Sequence, residues 1–481
     1  MIPNNSRSSR GDVEGANNFF LSFVKRSRMR FSGSLIFLIV IMFGMMMMMG
    51  ICIHGLQLED LLNIRPSSAI GDSNQILEDA NCTIATIEKN NNEFIYPLLK
   101  EIVSKQFFKI FKVDLSSPCP FWAMKKVCTG KGGCSVCECD ENEIPISWKK
   151  TAPVVTDKVN KFLGLSSQGK KVQKWQDDES NSWTKQEGDG SRLTYVNLLR
   201  NPETRTGYSG EEASRVWKAI YSVNCFNNRS VKDMCFEERV FYKLISGLHV
   251  SITMKIARYF TLKFGHDENP TYDSYTPNYE MFEKAILPFP DRVKNLYFLY
   301  TFMLRAIEKA APFLKSYNFN TGNEIEDRET SILVNNLFNN SKLCGTTFDE
   351  KLMFRTEDMN HLRAQMKTSF RNISSIMDCV ACEKCKMWAK LDILGLATAL
   401  KINLDGDNVF STLQRNEIIA LINAFKQHSQ AIYNFHEMLV FHQRKDASPK
   451  IAIGFGVIVG ALIVAFVQNI LFTKKEKDKK E

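Results

Sequence analysis

Asp378-Cys379-Val380-Ala381-Cys382-Glu383-Lys384-Cys385-Lys386-Met387-Trp388 carries three cysteines at a strict spacing of three. Ala389-Lys-Leu-Asp-Ile-Leu-Gly-Leu-Ala-Thr-Ala-Leu400 follows with helical periodicity. Cysteines three apart at the start of a helix lie one above the other on one face. A helix N-terminus also favours thiolate over thiol, which a redox dithiol requires. The same spacing serves half of a zinc or iron–sulfur site, or an inert structural disulfide. The triplet alone leaves these open, so the surrounding chain has to separate them.

The chain has 481 residues, 44% apolar and 24% charged, the balance of a protein that folds into one large domain or two ordinary ones. Its net charge of +9 is modest. Much of it sits in two terminal clusters, Lys25 to Arg30 and Lys474 to Lys480, an arrangement of membrane flanks and not of a nucleic-acid surface. Thirteen cysteines point to an oxidising compartment. Cys52 lies inside an apolar run, which leaves an even number for disulfides. Sequons at Asn81, Asn228, Asn339 and Asn372 are compatible with a glycosylated lumenal region.

Residues 1–31 are polar and read as a disordered cytosolic head. Residues 32–55 hold no charged residue and are long enough to span a bilayer, with the basic flank on the cytosolic side. A cleaved signal peptide would have a shorter apolar core and a small-residue cleavage site. Residues 451–472 form a second apolar run, and residues 473–481 a basic tail whose final Lys477-Asp-Lys-Lys-Glu481 resembles a dilysine retrieval signal. The expected topology is two transmembrane helices flanking a single lumenal domain, residues 57–449.

Within that domain strand-like alternation is scarce and the expected class is mainly α. Residues 57–117 read as short amphipathic helices. Residues 150–192 read as a long polar surface loop, and residues 316–345 as an Asn-rich one. Helices are expected at Glu211–Tyr221, Phe241–Phe264, Arg292–Leu314, Asp349–Arg371, Cys382–Lys401 and Asn416–Phe441. A second cysteine cluster runs Cys119-Pro-Phe-Trp-Ala-Met-Lys-Lys-Val-Cys128-Thr-Gly-Lys-Gly-Gly-Cys134-Ser-Val-Cys137-Glu-Cys139. Gly130, Gly132 and Gly133 between Cys128 and Cys134 give a mobile loop, which a rigid staple would not need.

Several segments together resemble the endoplasmic reticulum oxidoreductin family: Cys119-Pro-Phe-Trp122, Asn201-Pro-Glu203 with Thr206-Gly-Tyr208, Trp217 to Tyr221, Asn224-Cys-Phe226, Phe241-Tyr-Lys-Leu-Ile-Ser-Gly-Leu-His249, Lys294-Asn-Leu-Tyr-Phe-Leu-Tyr300, Arg305-Ala306, the triplet itself, and Arg415-Asn-Glu-Ile-Ile-Ala-Leu421. They span roughly residues 80–440 in the family's order, and the Cys134-Ser-Val-Cys-Glu-Cys run looks most like plant and protist members. The resemblance implies a helix bundle around FAD in the lumen of the endoplasmic reticulum. It implies a thiol oxidase that reoxidises protein disulfide isomerase and passes electrons to oxygen as hydrogen peroxide.

The resemblance also assigns roles. Cys128 and Cys134 would be the shuttle pair, on a loop one residue longer than the family's form. Cys382 and Cys385 would be the active pair facing the flavin, with Trp388 available to pack beside it. Cys119–Cys379 and Cys225–Cys235 would be structural disulfides. Cys137 and Cys139 are expected to be regulatory or structural. Thr206, Tyr208, Trp217, Ser246, His249, Arg292 and Arg305 would hold FAD. One departure stands out. The family's arginine directly after Asn-Pro-Glu is Thr204 here, and Arg205 follows it. No Gly-x-Gly-x-x-Gly follows a strand, so a Rossmann cofactor site is not expected. The competing reading is a cysteine-cluster metal-binding membrane protein. The triplet resembles the start of a ferredoxin run but lacks the fourth cysteine and following proline. No metal site is expected.

Overall fold

The computed structural model describes residues 83–122, 134–148, 181–184, 193–203, 210–225, 233–260, 275–286, 289, 291–342, 349–355, 359–441 and 460. Both expected membrane spans, 32–55 and 451–472, lie outside these residues apart from the helical Gly460. So do the two tails expected to be cytosolic, Cys82, Cys128, Thr206, Tyr208 and Cys344. Among the described residues no helix is long and apolar enough to cross a membrane.

The architecture is mainly helical. Helix α1 (Ile84–Asn90) starts at Thr83, whose hydroxyl accepts the Thr86 amide. It passes through one π turn, Asn91–Ile95, into α2 (Tyr96–Ser104). Strands β1 (Ile110–Val113) and β2 (Thr194–Asn197) pair antiparallel, with Ile110 opposite Asn197. Then come α3 (Gly210–Ala219), α4 (Phe236–Ile256), the antiparallel pair β3 (Arg258–Phe260) and β4 (Tyr275–Pro277), α5 (Tyr279–Ile286), α6 (Asp291–Lys315), α7 (Glu324–Ser341), α8 (Met359–Ile376), α9 (Glu383–Leu404) and α10 (residues 415–441).

Four long helices, α4, α6, α9 and α10, form the centre. Two glycines set how closely they approach. A Cβ on Gly247 of α4 would lie 2.2 Å from the Asn295 carbonyl oxygen of α6, and one on Gly395 of α9 would lie 2.6 Å from the Ala420 carbonyl oxygen of α10. Polar ties cross the remaining faces. His428 of α10 meets the Ser251 hydroxyl of α4 at 2.8 Å, and the Asn403 amide of α9 donates to the Phe302 carbonyl of α6 at 3.0 Å. The sheet docks on the bundle through Asn416, which exchanges hydrogen bonds with both backbone groups of Lys112.

Three expectations need correcting. Helix α7 occupies much of the expected Asn-rich loop. The Asn323 side chain accepts the Ile325 and Glu326 amides, and Val334, Leu337 and Phe338 bury one stripe. The asparagines at 335, 336, 339 and 340 masked that stripe by lowering local propensity. Second, the helix expected over Phe241–Phe264 starts earlier and ends earlier. Cys235 and Glu238 form a reciprocal cap at its start, and β3 follows Ala257. Third, the polar loop 150–192 contains a buried anchor. Trp183 is fully buried, its indole N–H donates to Asp405 at 3.0 Å, and the Lys367 ammonium lies over its ring.

Candidate active site

Cys382 is the N-cap residue of α9 and Cys385 lies in its first turn. Their sulfurs are 2.8 Å apart and both residues are fully buried. Cys379, one step earlier, forms a disulfide with Cys119 across a sequence separation of 260. Closing so long a loop removes about 5 kcal/mol of unfolded-chain entropy in the chain-entropy account. The bridge takes Cys379 out of any three-thiolate metal site.

A second segment is laid across the start of α9. The Lys384 amide donates to the Cys134 carbonyl at 2.9 Å, and Glu383 accepts the Val136 amide at 3.2 Å. Cys134 is itself disulfide-bonded, to a partner outside the described residues. Asn201 holds Cys137 from both sides. Its Oδ1 accepts the Cys137 amide at 2.8 Å and its Nδ2 donates to the Cys137 carbonyl at 2.7 Å. The Trp388 indole N–H then donates to the Asn201 carbonyl at 2.8 Å, tying the clamp to α9. Trp388 therefore braces the Cys134–Cys139 segment. Replacing Asn201 by Ala should cost about 2 kcal/mol, because it removes both hydrogen bonds to the Cys137 backbone and strands the buried Asn197 carbonyl. Faster hydrogen exchange at the Cys137 amide would report the loosened segment.

Beside the dithiol lies an apolar hollow of about 500 Å³, a volume that includes its opening to solvent. Val380 and Ala389 line it from either side of the dithiol, Ile245, Leu248 and Ile252 from α4, and Trp217 from α3. The Trp217 ring stacks on His249, with centroids 3.8 Å apart. Burial, and then the Arg292 charge, push His249 down to about 3, so its imidazole is neutral at physiological pH. Arg292 points a guanidinium N–H at His249 Nδ1 from 3.5 Å, and the Tyr221 hydroxyl lies 3.1 Å from the same nitrogen. Arginine can only donate, so Nδ1 is the acceptor and Nε2 carries the ring proton. Arg292 is itself held between the faces of Tyr221 and Phe289. The chain between Trp217 and this cluster runs through a π turn, Ile220–Asn224, a distortion common at functional sites.

An endoplasmic reticulum oxidoreductin 1 family model matches residues 94–435. The chain belongs to this family. It is 40% identical over 389 residues to endoplasmic reticulum oxidoreductin-1 of Arabidopsis thaliana, covering 76% of this chain and 79% of that one. It is 32% identical over 423 residues to ERO1-like protein alpha of Homo sapiens, covering 76% and 90%. A double-cysteine mutant of Ero1p from S. cerevisiae has the same fold, with TM-score 0.54 and 25% identity over 75% of this chain and 98% of that one. As an endoplasmic reticulum oxidoreductin, the chain is a protein disulfide oxidoreductase.

Set against the oxidoreductin expectations, the structure brings Trp217, His249 and Arg292 together and keeps two other residues apart. Ser246 is fully buried between α4 and α6. Its hydroxyl donates to the Tyr242 carbonyl and accepts the Asn295 amide, so it faces the helix pair and does not line the hollow. Arg305 is 13 positions beyond Arg292 on α6, about 20 Å along the axis, and is ion-paired with Glu308 and Glu350. Cys225 and Cys235, expected as a bridge, are both thiols. Cys225 is buried at the end of the π turn, and the Cys235 sulfur caps α4. Burial pushes both thiols above their ordinary range. Cys137 and Cys139 are thiols too, and burial beside Glu143 raises Cys139 to about 11.

Sequence reasoning missed Tyr221, Asn201 and Asn224 as site residues. Asn224 is buried with both amide atoms unpartnered, one π turn past the hollow-lining Ile220. All three sit inside motifs quoted for the resemblance, but no spacing rule marks an asparagine that closes on a backbone 64 residues away.

The donor set fits a flavin. The hollow is apolar enough for a ring system, the Trp217 and His249 faces offer stacking, Arg292 offers a cation, and the Asn224 amide has both a donor and an acceptor unused.

Proposed function

We propose that this chain is an FAD-dependent thiol oxidase of the endoplasmic reticulum lumen that reoxidises protein disulfide isomerase. Electrons leave the Cys382–Cys385 pair for FAD and then oxygen, giving hydrogen peroxide. The observation that carries this reading is the seat of disulfide-bonded Cys134 on the first-turn amide of the dithiol helix, next to the hollow walled by Trp217. Two exchangeable sulfur pairs stacked in series are what a relay from an outside protein to a buried acceptor requires. Attachment to the membrane through residues 32–55 and 451–472 rests on their apolar composition.

The steps follow from thiol chemistry. A thiolate of the isomerase attacks the Cys128–Cys134 disulfide, and its second thiol resolves the mixed disulfide. The isomerase leaves oxidised and Cys128–Cys134 reduced. That dithiol reduces the Cys382–Cys385 disulfide by the same exchange. FAD, when bound, supplies a two-electron acceptor that oxygen can reoxidise. Trp217 and His249 would hold its ring and keep water out, and Arg292 would balance negative charge beside it. A metal-thiolate reading is disfavoured, because Cys379 is committed to Cys119.

Oxygen uptake by the full chain with reduced protein disulfide isomerase tests the proposal, alongside a visible spectrum. Flavin absorbance and sustained uptake are expected. Absence of both would sink it. Cys128→Ala should stop uptake with the protein substrate while leaving most of the uptake with a small dithiol.

A further inference from the structure

One helical turn beyond the residues that line the hollow sits a charge cluster that the relay above does not use. On α4 the hollow-lining Ile245, Leu248 and Ile252 continue one turn on, on the same side, to Lys255. On α9 the side that bears Cys385 and Ala389 continues to Asp392. Lys255 and Asp392 meet at 2.8 Å, and Glu203 joins them at 3.3 Å from the Lys255 ammonium. Lys255 and Asp392 side chains are essentially sealed from water. Asp392 Oδ1 and Glu203 Oε1 are buried with no hydrogen-bond partner.

Two carboxylates on one ammonium leave one negative charge in excess, and a buried excess charge is expensive. The least costly remedy is a proton. The charged groups against Asp392 are Lys255 from α4 and Glu203 from the loop after β2; His428 of α10 lies within reach of the Lys255 charge, and Cys385 is two turns back on Asp392's own helix. Burial and the Lys255 charge keep His428 neutral, so it does not supply that proton. Burial alone would lower Lys255, but the Asp392 and Glu203 charges hold it above its ordinary value, so it stays charged. Burial, and the Glu203 charge against the opposing pull of Lys255, raise Asp392 to about 6. Seven residues of helix separate Cys385 from Asp392, about 10 Å, and the hollow lies along that side.

We propose that Asp392, set against Glu203 and Lys255, holds and releases a proton in step with the electron pair that passes through the hollow. The proposal rests on the thiol-oxidase reading and extends it to proton traffic. Closing the Cys382–Cys385 disulfide releases two electrons and two protons. A flavin bound in the hollow would accept the electron pair with one proton, and the Asp392 carboxylate would hold the other. Oxygen leaving as hydrogen peroxide would carry away the pair and both protons. Asp392 acts through the occupant of the hollow and is a positioning residue, not a catalytic one.

Two substitutions separate this role from a structural one. Asp392→Asn and Glu203→Gln each leave one carboxyl-derived amide and one carboxylate on Lys255, a balanced pair that keeps the fold. With dithiothreitol as substrate, the wild-type oxygen uptake of the full chain should inflect near pH 6. Asp392→Asn should lose that inflection and slow by roughly 100-fold. Glu203→Gln should move the inflection to lower pH, because it removes the charge that raises Asp392. Infrared spectra of the cofactor-free protein provide a readout independent of turnover. A protonated-carboxyl band should titrate near pH 6 and be missing in Asp392→Asn. An Asp392→Asn protein with the wild-type rate and pH profile, or a wild type lacking the titrating band, overturns the proton role alone. Wild-type protein that takes up no oxygen overturns the thiol-oxidase reading on which the role stands.

Discussion

Cys382→Ala protein will take up oxygen no faster than the uncatalysed background, a loss of roughly a thousandfold or more, with protein disulfide isomerase and with small dithiols alike. Both thiols are fully buried and sit 2.8 Å apart, so the pair acts as a unit and loss of one sulfur removes the exchangeable disulfide. The fold should survive the change. Cys382 occupies the N-cap of α9 but makes no side-chain capping bond there, so alanine leaves the helix cap as it is. The segment above it is anchored to the Lys384 amide and the Glu383 carboxylate, neither of which depends on the sulfur. Oxygen electrode traces paired with thermal melts check this. An unchanged melting temperature with activity at background is expected. Retained uptake with small dithiols would mean that electrons bypass this pair. The contrast with Cys128→Ala is the useful one, since that change should affect only the protein substrate.

The helical class and the helices of the bundle were legible because their apolar positions recur at helical spacing. Val293, Leu296, Tyr297, Tyr300, Leu304 and Ile307 of α6 are an example, and all six are buried. Helix α7 was not legible, because a run of asparagines hid three apolar positions that tertiary packing uses. The site divides in the same way. The dithiol could be read locally, since its spacing and its helix are contiguous. The Asn201 clamp could not. Its side chain closes on the backbone of Cys137, 64 residues away, a group that any residue could offer, and its own carbonyl takes the Trp388 indole from 187 residues away. The roles of Cys225 and Cys235 also turned on tertiary detail. A sulfur that caps α4 and one sealed under a π turn look alike in sequence to a bridged pair. The charged cluster was the least visible. Glu203, Lys255 and Asp392 come from three separate stretches of the chain, and no local spacing joins them.

That cluster gives the largest expected effect on stability. Lys255→Met should destabilise the protein by about 3–5 kcal/mol at neutral pH, because it leaves the Asp392 and Glu203 carboxylates buried without their counter-ion. Methionine nearly matches lysine in volume, so packing loss is small and the cost is electrostatic. The pH dependence distinguishes the two. In the folded wild type Asp392 is raised to about 6 from an ordinary value of 3.8, so the folded state holds a proton that the unfolded state releases. Stability gained from that proton is fully present below about 3.8 and is lost as pH rises through about 6. Removing Lys255 takes away the attraction that opposes this shift, so the window widens upward. The Lys255→Met deficit should therefore shrink on acidification from pH 7 to pH 5, the reverse of ordinary acid lability. Urea denaturation at the two pH values measures it. A deficit that is equal at both would assign the loss to packing. Adding Asp392→Asn to Lys255→Met should then recover part of the loss at neutral pH, since one of the two uncompensated charges is gone.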